Sequence, residues 1–249
     1  MKQNIYDNNE FFQKYQALRA RENNYNRLLE QPNFQALVPD LMERNVLDIG
    51  CGSGDFAAFC LSKGASNVKG IDISQNMITA AEEKYSHARL QFEQVAFEDA
   101  EVIEGSIDFI SSSLAFHYFA DFDALIKKIS TALCTNGTLL FSMEHPIVTA
   151  NKEMDSWICD TQGNYLYYAL DNYHEEGYRT QTWLVDGVVM YHRTLSTIIN
   201  TLVINGLQIE KILEPIPTLE ATRKLPSIAK EIRRPSFLII RAKKLPNYI

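Results

Sequence analysis

The sequence predicts an α/β fold in which helices cover both faces of a mainly parallel sheet. The first observation is an apolar run at residues 46–49 that leads through three alternate glycines into a helical pattern. The second is that strand and helix patterns go on alternating as far as residue 143. The third is composition, because 46% hydrophobic and 22% charged residues among 249 suit one large domain with a full core.

The first half of the chain is predicted to build the sheet behind an N-terminal helical cap, residues 1–44. A helix is expected over residues 10–30, and Pro32 and Pro39 are expected to break the chain before the first strand. An Asn136-Gly137 turn is expected just before the fifth strand. Strands are predicted at residues 46–49, 68–73, 90–97, 107–112 and 138–143, and helices at 55–63, 75–85 and 121–133.

The second half is predicted to contain an insertion, residues 147–192, followed by a segment that completes the sheet, residues 193–249. The insertion is rich in Tyr, Trp, Asp and Glu and lacks long apolar runs, which predicts small strands and loops. The last segment reads as a helix, a strand, a proline-containing connection and a closing strand, which predicts an antiparallel hairpin at the sheet edge.

Charge and composition exclude several function classes. The net charge of −7 argues against nucleic acid as a partner. The N-terminus lacks the apolar core of a signal peptide, and no apolar stretch is long enough to cross a bilayer, so no membrane association is expected. Four cysteines without a CxxC pair predict a cytoplasmic protein with reduced thiols and no metal site.

The most informative motif is the turn after the first strand, which has an acid and then alternate glycines, Asp48-x-Gly50-x-Gly52-x-Gly54. This spacing is not the GxGxxG of dinucleotide sites, and Asp48 would repel a diphosphate but suits a ligand with a positive group. Asp72 ends the second strand, where an acid can accept hydrogen bonds from both hydroxyls of a ribose. The alternatives are a purely structural turn and a helix-dipole role for Asp72.

Four ordered segments resemble the successive motifs of the class I S-adenosylmethionine-dependent methyltransferases: residues 46–54, 70–74, 107–118 and 133–141. Later stretches resemble a bacterial, type 11/12-like subfamily of unknown substrate: residues 141–146, 191–194 and 214–215. The resemblance implies a Rossmann-like, seven-stranded sheet with an antiparallel last strand. It also implies that residues 45–146 form a cofactor-binding core within a single domain, residues 1–249.

The resemblance also implies which residues hold S-adenosylmethionine. Asp72 would bind the ribose. Arg19 would pair with the cofactor carboxylate, unless it is only a solvated helix charge. Relatives have an acid where this chain has Val95, so Glu98 or a backbone carbonyl would meet the adenine amino group. The other implied contacts are Asp48, Gly50, Cys51 and Gly52 at the methionine part, Ile73, Met77, Ala96 and Phe97 at the adenine, Ser112 or Ser113 near the methyl group, and Tyr15 as a cover.

The implied reaction is methyl transfer to a small-molecule acceptor with release of S-adenosylhomocysteine, and a protein acceptor is the alternative. A base is needed only if the acceptor must lose a proton. The candidate catalytic residues are His117, His145 and His192, each with a structural role as its alternative. The aromatic insertion is predicted to be a lid over the acceptor, and its alternatives are a tyrosine-packed subdomain or a homodimer contact.

Two rival functions remain at the level of sequence. One is a non-catalytic module that binds S-adenosylmethionine on the same fold. The other is an NAD-dependent oxidoreductase, which the glycine spacing and Asp48 disfavour. We also expect Asp72→Ala to weaken cofactor binding with little loss of folding, on the premise that Asp72 is a surface acid with few contacts.

Overall fold

The computed structural model describes residues 2–152 and 156–246. A central sheet runs through the molecule, and two small hairpins lie apart from it. In chain order the strands are β1 (Asn45–Ile49), β2 (Asn67–Asp72), β3 (Leu90–Gln94), β4 (Ile107–Ser113), β5 (Leu133–Glu144), β6 (Trp157–Cys159), β7 (Tyr165–Tyr168), β8 (Gly177–Trp183), β9 (Val185–His192), β10 (Leu207–Leu213) and β11 (Phe237–Lys244).

Helices cover both faces of this sheet. Short 3₁₀ turns at Ile5–Asp7, Phe116–Tyr118 and Pro226–Ile232, and a π-helical turn at Asn26–Glu30, connect the longer elements. The α-helices are α1 (Asn9–Ala20), α2 (Gln31–Gln35), α3 (Asp55–Ser62), α4 (Gln75–Lys84), α5 (Phe122–Ala132), α6 (Pro146–Ala150), α7 (Leu195–Ile204) and α8 (Leu219–Lys224).

The central sheet has seven strands in the order β10-β11-β5-β4-β1-β2-β3. The β1–β5 strands pair in parallel, whereas β11 is antiparallel to both of its neighbours, β5 and β10. This arrangement confirms the predicted fold class and its antiparallel last strand. It also brings the carboxyl ends of β1, β2 and β4 to one edge, where ligands bind in sheets of this kind.

Two apolar layers hold the sheet between its helices. Successive side chains of a strand point to opposite faces, so Ile110 packs in the layer that contains α5 and α7, and Phe109 packs in the layer that contains α3. The α5 helix buries one stripe of apolar side chains at roughly helical spacing: Phe122, Leu125, Ile126 and Ile129. These layers fix the strand ends that carry the functional side chains.

The structure contradicts two sequence-based predictions, a chain break at Pro32 and a turn at Asn136-Gly137. Pro32 does not break the chain, because it lies in the first turn of α2, where a helix does not need its missing N–H. The Asn136-Gly137 pair is not a turn between elements. It lies inside β5, where Asn136 has a φ of 67° and the pairing register with β4 shifts.

The predicted insertion forms α6 and two hairpins, although its residues 153–155 lie outside the described residues. The β8–β9 hairpin lies against the N-terminal helix, since Trp183 contacts Phe11 and Tyr15. The β6–β7 hairpin lies against the C-terminal segment, where the guanidinium of Arg233 sits 5.0 Å from the ring centre of Trp157. The two hairpins therefore have different surroundings, and a single lid role does not fit both.

Candidate functional site

A large cavity of about 1830 Å³ opens at the carboxyl ends of β1, β2 and β4. Its floor is the glycine turn after β1, and its other walls come from the N-terminal segment, the strand ends and the β8–β9 hairpin. Typical ligand sites occupy roughly 300–1000 Å³. The cavity is therefore large enough for a cofactor together with a second molecule.

The backbone of the glycine turn requires glycine for two different reasons. Gly50 has a φ of 69°, and a Cβ atom there would lie 2.7 Å from the Cβ of Ala115, so packing excludes any side chain. Gly52 has a φ of 52°, and a Cβ atom there would meet nothing nearer than the Met77 sulfur at 4.0 Å. Gly52 therefore leaves open space on the cavity floor, where a ligand can approach the backbone.

Asp48 is buried beneath this turn. Its Oδ1 accepts a hydrogen bond of 2.7 Å from the hydroxyl of Ser111, a residue that the sequence did not single out. Burial raises the pKa of Asp48 to about 7; the Ser111 hydrogen bond opposes this shift and the negative charge of Asp72 adds to it. A cationic group bound beside Asp48 would restore its ionised form, which suits a ligand that carries an ammonium.

Asp72 ties the turn to the next helix. One of its oxygens accepts from the backbone N–H of Gly52 and the other from that of Ser74, each at 2.9 Å. Burial raises its pKa, although these hydrogen bonds oppose the shift. The expectation of a surface acid with few contacts is wrong, because Asp72 is only 9% exposed and holds two backbone amides. Each oxygen keeps a second lone pair for a ribose hydroxyl.

The structure brings most of the predicted cofactor residues to this one cavity. Ser112 is the exception, because it is fully buried and its hydroxyl donates to the carbonyl of Ile49. The predicted residues that line the cavity are Tyr15, Arg19, Asp48, Gly50, Cys51, Gly52, Asp72, Ile73, Met77, Ala96, Phe97, Glu98 and Ser113.

Aromatic side chains from three parts of the chain cover the cavity. Tyr6 packs against Tyr15 and Tyr118 with ring centres 5.1 and 6.4 Å apart, and the hydroxyls of Tyr6 and Tyr118 share a hydrogen bond. Trp183 at the end of β8 packs against Phe11 and Tyr15 with ring centres 5.4 and 6.0 Å apart. We call these five residues the aromatic roof. Sequence reasoning had named Tyr15 as a cover, and Trp183 belongs to the insertion that was predicted to be a lid.

His117 is the candidate catalytic histidine that lines the cavity. Its Nδ1 accepts a hydrogen bond of 3.4 Å from the backbone N–H of Glu144, so its proton lies on Nε2. Burial and the nearby charge of Arg193 lower the pKa of His117 to about 3. His117 is therefore neutral at physiological pH, and it is suited to donate a hydrogen bond rather than to accept a proton.

His145 and His192 lie outside the cavity and make internal contacts. His145 lies 2.8 Å from the carboxylate of Glu214, and its Nδ1 accepts from the N–H of Ile147 at the start of α6. His192 is fully buried, with Nε2 donating to the carbonyl of Tyr173 and Nδ1 accepting from the hydroxyl of Thr149. In both histidines the two ring nitrogens contact other residues of the protein, so each side chain links neighbouring segments of the fold.

Among the lining acids that sequence reasoning missed are Glu30 and Glu144, each of which has a carboxylate oxygen shielded from solvent. Glu144 follows two residues after Ser142 on β5, so period-two alternation would have placed it on the cavity side and His145 on the other. Glu30 lies in the π-helical turn, where no sequence periodicity identifies an inward-facing position. Long-range contacts alone bring it to the strand ends.

Comparison with known proteins agrees with this geometry. A family model described as a methyltransferase domain matches residues 47–141. A Haemophilus influenzae protein without assigned function is 37% identical over 252 residues, spanning 97% of each chain. The crystal structure of a candidate S-adenosylmethionine-dependent methyltransferase from Listeria monocytogenes has a TM-score of 0.82 and 39% identity, covering 87% of this chain and 97% of that one. The chain belongs to the S-adenosylmethionine-dependent methyltransferases.

A second methyltransferase structure, from Mesorhizobium loti, supports the same family at 34% identity, with a TM-score of 0.81 over 86% of this chain and 97% of that one. The predicted family, fold and cofactor are thus confirmed, and an NAD-dependent oxidoreductase does not agree with them. Asp48 suits the ammonium of S-adenosylmethionine, Asp72 suits its ribose, and Gly52 leaves space beside them. Within residues 2–152 and 156–246, no cluster of metal-binding side chains and no membrane-spanning helix occurs in this methyltransferase.

Proposed function

We propose that this methyltransferase acts on a small-molecule acceptor, which binds in the same cavity as the cofactor. The observation that carries the proposal is the continuity of the cavity. The glycine turn lines one part of it, and Glu144, Tyr118 and Tyr178 line another part. A concave volume of this size, lined on several sides, accommodates a cofactor together with a small acceptor.

The cofactor is proposed to lie across the carboxyl ends of β1 and β2. When bound, S-adenosylmethionine supplies a methyl group on a positively charged sulfur. Asp48 would hold its ammonium and Asp72 its ribose hydroxyls, whereas Arg19 would face its carboxylate. The remaining proposed contacts are Gly50, Cys51 and Gly52 at the methionine part, Ile73, Met77, Ala96, Phe97 and Glu98 around the adenine, Tyr15 above it, and Ser113 near the acceptor side.

The protein's contribution to the reaction is proposed to be orientation and exclusion of water. The aromatic roof covers the cavity and limits the access of water to the reacting atoms. His117 would donate a hydrogen bond from Nε2 to the acceptor, because its lowered pKa keeps it neutral. His145 and His192 receive no role in the reaction, since their ring nitrogens bond to other parts of the fold.

The test is to incubate the protein with methyl-labelled S-adenosylmethionine and separated fractions of a bacterial extract. We expect label in the small-molecule fraction and formation of S-adenosylhomocysteine in proportion. Label in protein or nucleic acid would contradict a small-molecule acceptor. Tight binding of S-adenosylhomocysteine without transfer to any fraction would instead support the non-catalytic module.

A further inference from the structure

Two carboxylate oxygens in the cavity wall lack hydrogen-bond partners. The Oε2 atoms of Glu30 and Glu144 are both shielded from solvent and accept no hydrogen bond from the described residues. Glu30 is fully buried, and its other oxygen accepts from the hydroxyls of Ser113 and Ser142. A buried, unpaired carboxylate oxygen is costly, so its retention in a cavity wall points to a ligand that pairs with it.

The two acids flank the ends of neighbouring strands. Ser113 on β4 pairs with Ser142 on β5, and Glu30 bridges their hydroxyls. Glu144 lies two residues beyond Ser142 on the same face of β5, about 7 Å farther along the strand. The region between them lies next to the glycine turn, on the side where the proposed acceptor binds.

The charge balance of this region is negative. Among described residues that line the cavity, the buried charged side chains are acids: Glu30, Asp48 and Asp72. Among the cations of the wall, Lys84 pairs with Asp55 and Lys2 with Asp99, whereas the charge of Arg19 acts on Glu30 and opposes the rise in its pKa. Arg234 acts on Glu144 from outside the cavity wall, yet burial still raises the pKa of Glu144 to about 7.

Tyrosine side chains line the same cavity as the two acids. Burial, chiefly, and then the charge of Glu144 raise the pKa of the Tyr118 hydroxyl. The pKa of Tyr15 is likewise raised, chiefly by burial and in smaller part by the charges of Asp72 and Glu30, while Arg19 opposes the shift. Carboxylates next to aromatic faces attract a cation, because the ring faces are negative and the acids supply the counter-charge.

We infer that the acceptor is a small amine, an inference that rests on the proposed function. Its ammonium binds between Glu144 and the Tyr6–Tyr118 pair. Glu144 takes the proton whose loss frees the lone pair of the attacking nitrogen. Glu30 supplies the second negative charge near the site. A carboxylic acid acceptor would instead face both acids and be repelled by them. An alcohol would leave the negative charge of the wall uncompensated.

Methyl transfer to the amine conserves atoms and charge. The ammonium gives one proton to the Glu144 carboxylate and becomes a neutral amine. The nitrogen lone pair forms the new bond to the methyl carbon, and the electron pair of the broken carbon–sulfur bond stays on sulfur. The products are a methylated ammonium, neutral S-adenosylhomocysteine and a protonated Glu144, which returns its proton to solvent.

The test measures binding to protein saturated with S-adenosylhomocysteine, using three probes of one shape. These are phenethylamine, 3-phenylpropionate and 2-phenylethanol, followed by titration calorimetry. We expect phenethylamine to bind at least about tenfold more tightly than either of the other two. Equal or tighter binding of 3-phenylpropionate, or no detectable binding of phenethylamine, would overturn the inference.

A pair of variants ties the effect to Glu144. Glu144→Gln is expected to weaken phenethylamine binding about tenfold or more while leaving the affinity for S-adenosylhomocysteine unchanged. Glu214→Gln, which removes a carboxylate outside the cavity, is expected to leave both affinities unchanged. Amine binding that survives in Glu144→Gln would overturn the inference. Failure of the wild-type protein to bind S-adenosylhomocysteine would be a failure of the proposed function instead.

The pH dependence of phenethylamine binding distinguishes a binding role of Glu144 from a purely structural one. The titratable and charged groups that face Glu144 are Tyr118, neutral His117 and Arg234. None of them changes charge near pH 7, because the pKa of Tyr118 is raised, the pKa of His117 is lowered, and Arg234 carries a guanidinium. Phenethylamine binding is therefore expected to strengthen as pH rises through about 7, because Glu144 ionises while the amine stays protonated. A flat profile in the wild-type protein would contradict this assignment.

Discussion

At the scale of single residues, the site is built from acids that the fold buries. Asp48, Asp72, Glu30 and Glu144 all have pKa values raised chiefly by burial. Such groups destabilise the folded protein when they ionise without a partner. Their positions on the cavity wall therefore favour ligands that bring positive charge.

The first prediction concerns Asp48, whose carboxyl has its pKa raised from 3.8 to about 7. Its favourable contribution to stability is complete below pH 3.8 and is lost as pH rises through about 7, since the folded protein resists losing the proton. Asp48→Asn is thus expected to melt less pH-dependently than the ligand-free wild type and at a higher temperature near pH 8. The same variant is expected to bind S-adenosylhomocysteine more weakly in calorimetry.

The control for Asp48→Asn is Asp160→Asn, which alters an acid in the exposed loop between β6 and β7. That substitution does not touch the cavity and is expected to leave cofactor affinity unchanged. If Asp48→Asn melts with the same pH profile as the wild type, the buried-acid explanation is wrong.

A second prediction separates the two reasons for glycine at position 50. Gly50→Ala is expected to lose about 2–4 kcal/mol, since the positive φ and the 2.7 Å contact with Ala115 both count against it. Gly206→Ala has a similar φ of 76° with nothing within 4 Å, so it is expected to lose only about 1–2 kcal/mol. Urea unfolding measures both, and equal losses would show that the contact with Ala115 is unimportant.

At the scale of elements, α1 and the β8–β9 hairpin meet through the aromatic roof and through polar contacts such as that of Lys14 Nζ with the carbonyl of Leu184. Neither element pairs with the central sheet. Their position over the cavity therefore depends on side-chain contacts rather than on hydrogen bonds of the central sheet.

The third prediction follows for Trp183, the residue that joins these elements. Trp183→Ala is expected to raise the Kd for S-adenosylhomocysteine about tenfold and to speed amide hydrogen exchange in Asn9–Ala20. Trp157→Ala is the matched control, because Trp157 belongs to the β6–β7 hairpin and does not line the cavity. It is expected to lower the melting temperature without changing cofactor affinity. Identical affinity losses in the two variants would refute a specific role for the roof.

At the scale of the whole molecule, the cavity walls come from segments far apart in sequence, including residues near 6, 50, 118, 144 and 183. A ligand that contacts all of these walls binds the folded state alone. Binding should therefore stabilise the entire domain rather than one element.

The fourth prediction is a thermal-shift comparison of S-adenosylhomocysteine with NAD. S-Adenosylhomocysteine at 100 times its Kd is expected to stabilise the fold by about 2.7 kcal/mol. NAD is expected to give no shift, because Asp48 beneath the turn repels a diphosphate. A shift with NAD alone would contradict the cofactor assignment.

Local patterns in the sequence were sufficient for the fold and for the cofactor turn. Apolar alternation identified β1, β2, β4 and part of β5, because strand and helix periods depend on neighbouring residues. The Asp48–Gly54 turn was identifiable because glycine at positive φ is a local backbone requirement. These features depend only on residues that are neighbours in the chain, so the sequence alone identifies them.

The acceptor side depends on contacts between distant residues, which no local pattern encodes. Glu30 reaches Ser113 and Ser142 across more than 80 residues of chain, and the same packing turns His192 into an internal contact. Burial also dominates the protonation of these groups. Desolvation is the larger cause of the lowered pKa of His117, to which the charge of Arg193 adds, and it raises the pKa of Glu144 to about 7 against the opposing charge of Arg234. The sequence by itself thus determined the sheet, the glycine turn and the cofactor. Only the tertiary structure placed Glu30 and Glu144 in the cavity wall and tied His145 and His192 into internal contacts, because solvent exclusion and long-range packing exist only in the folded chain.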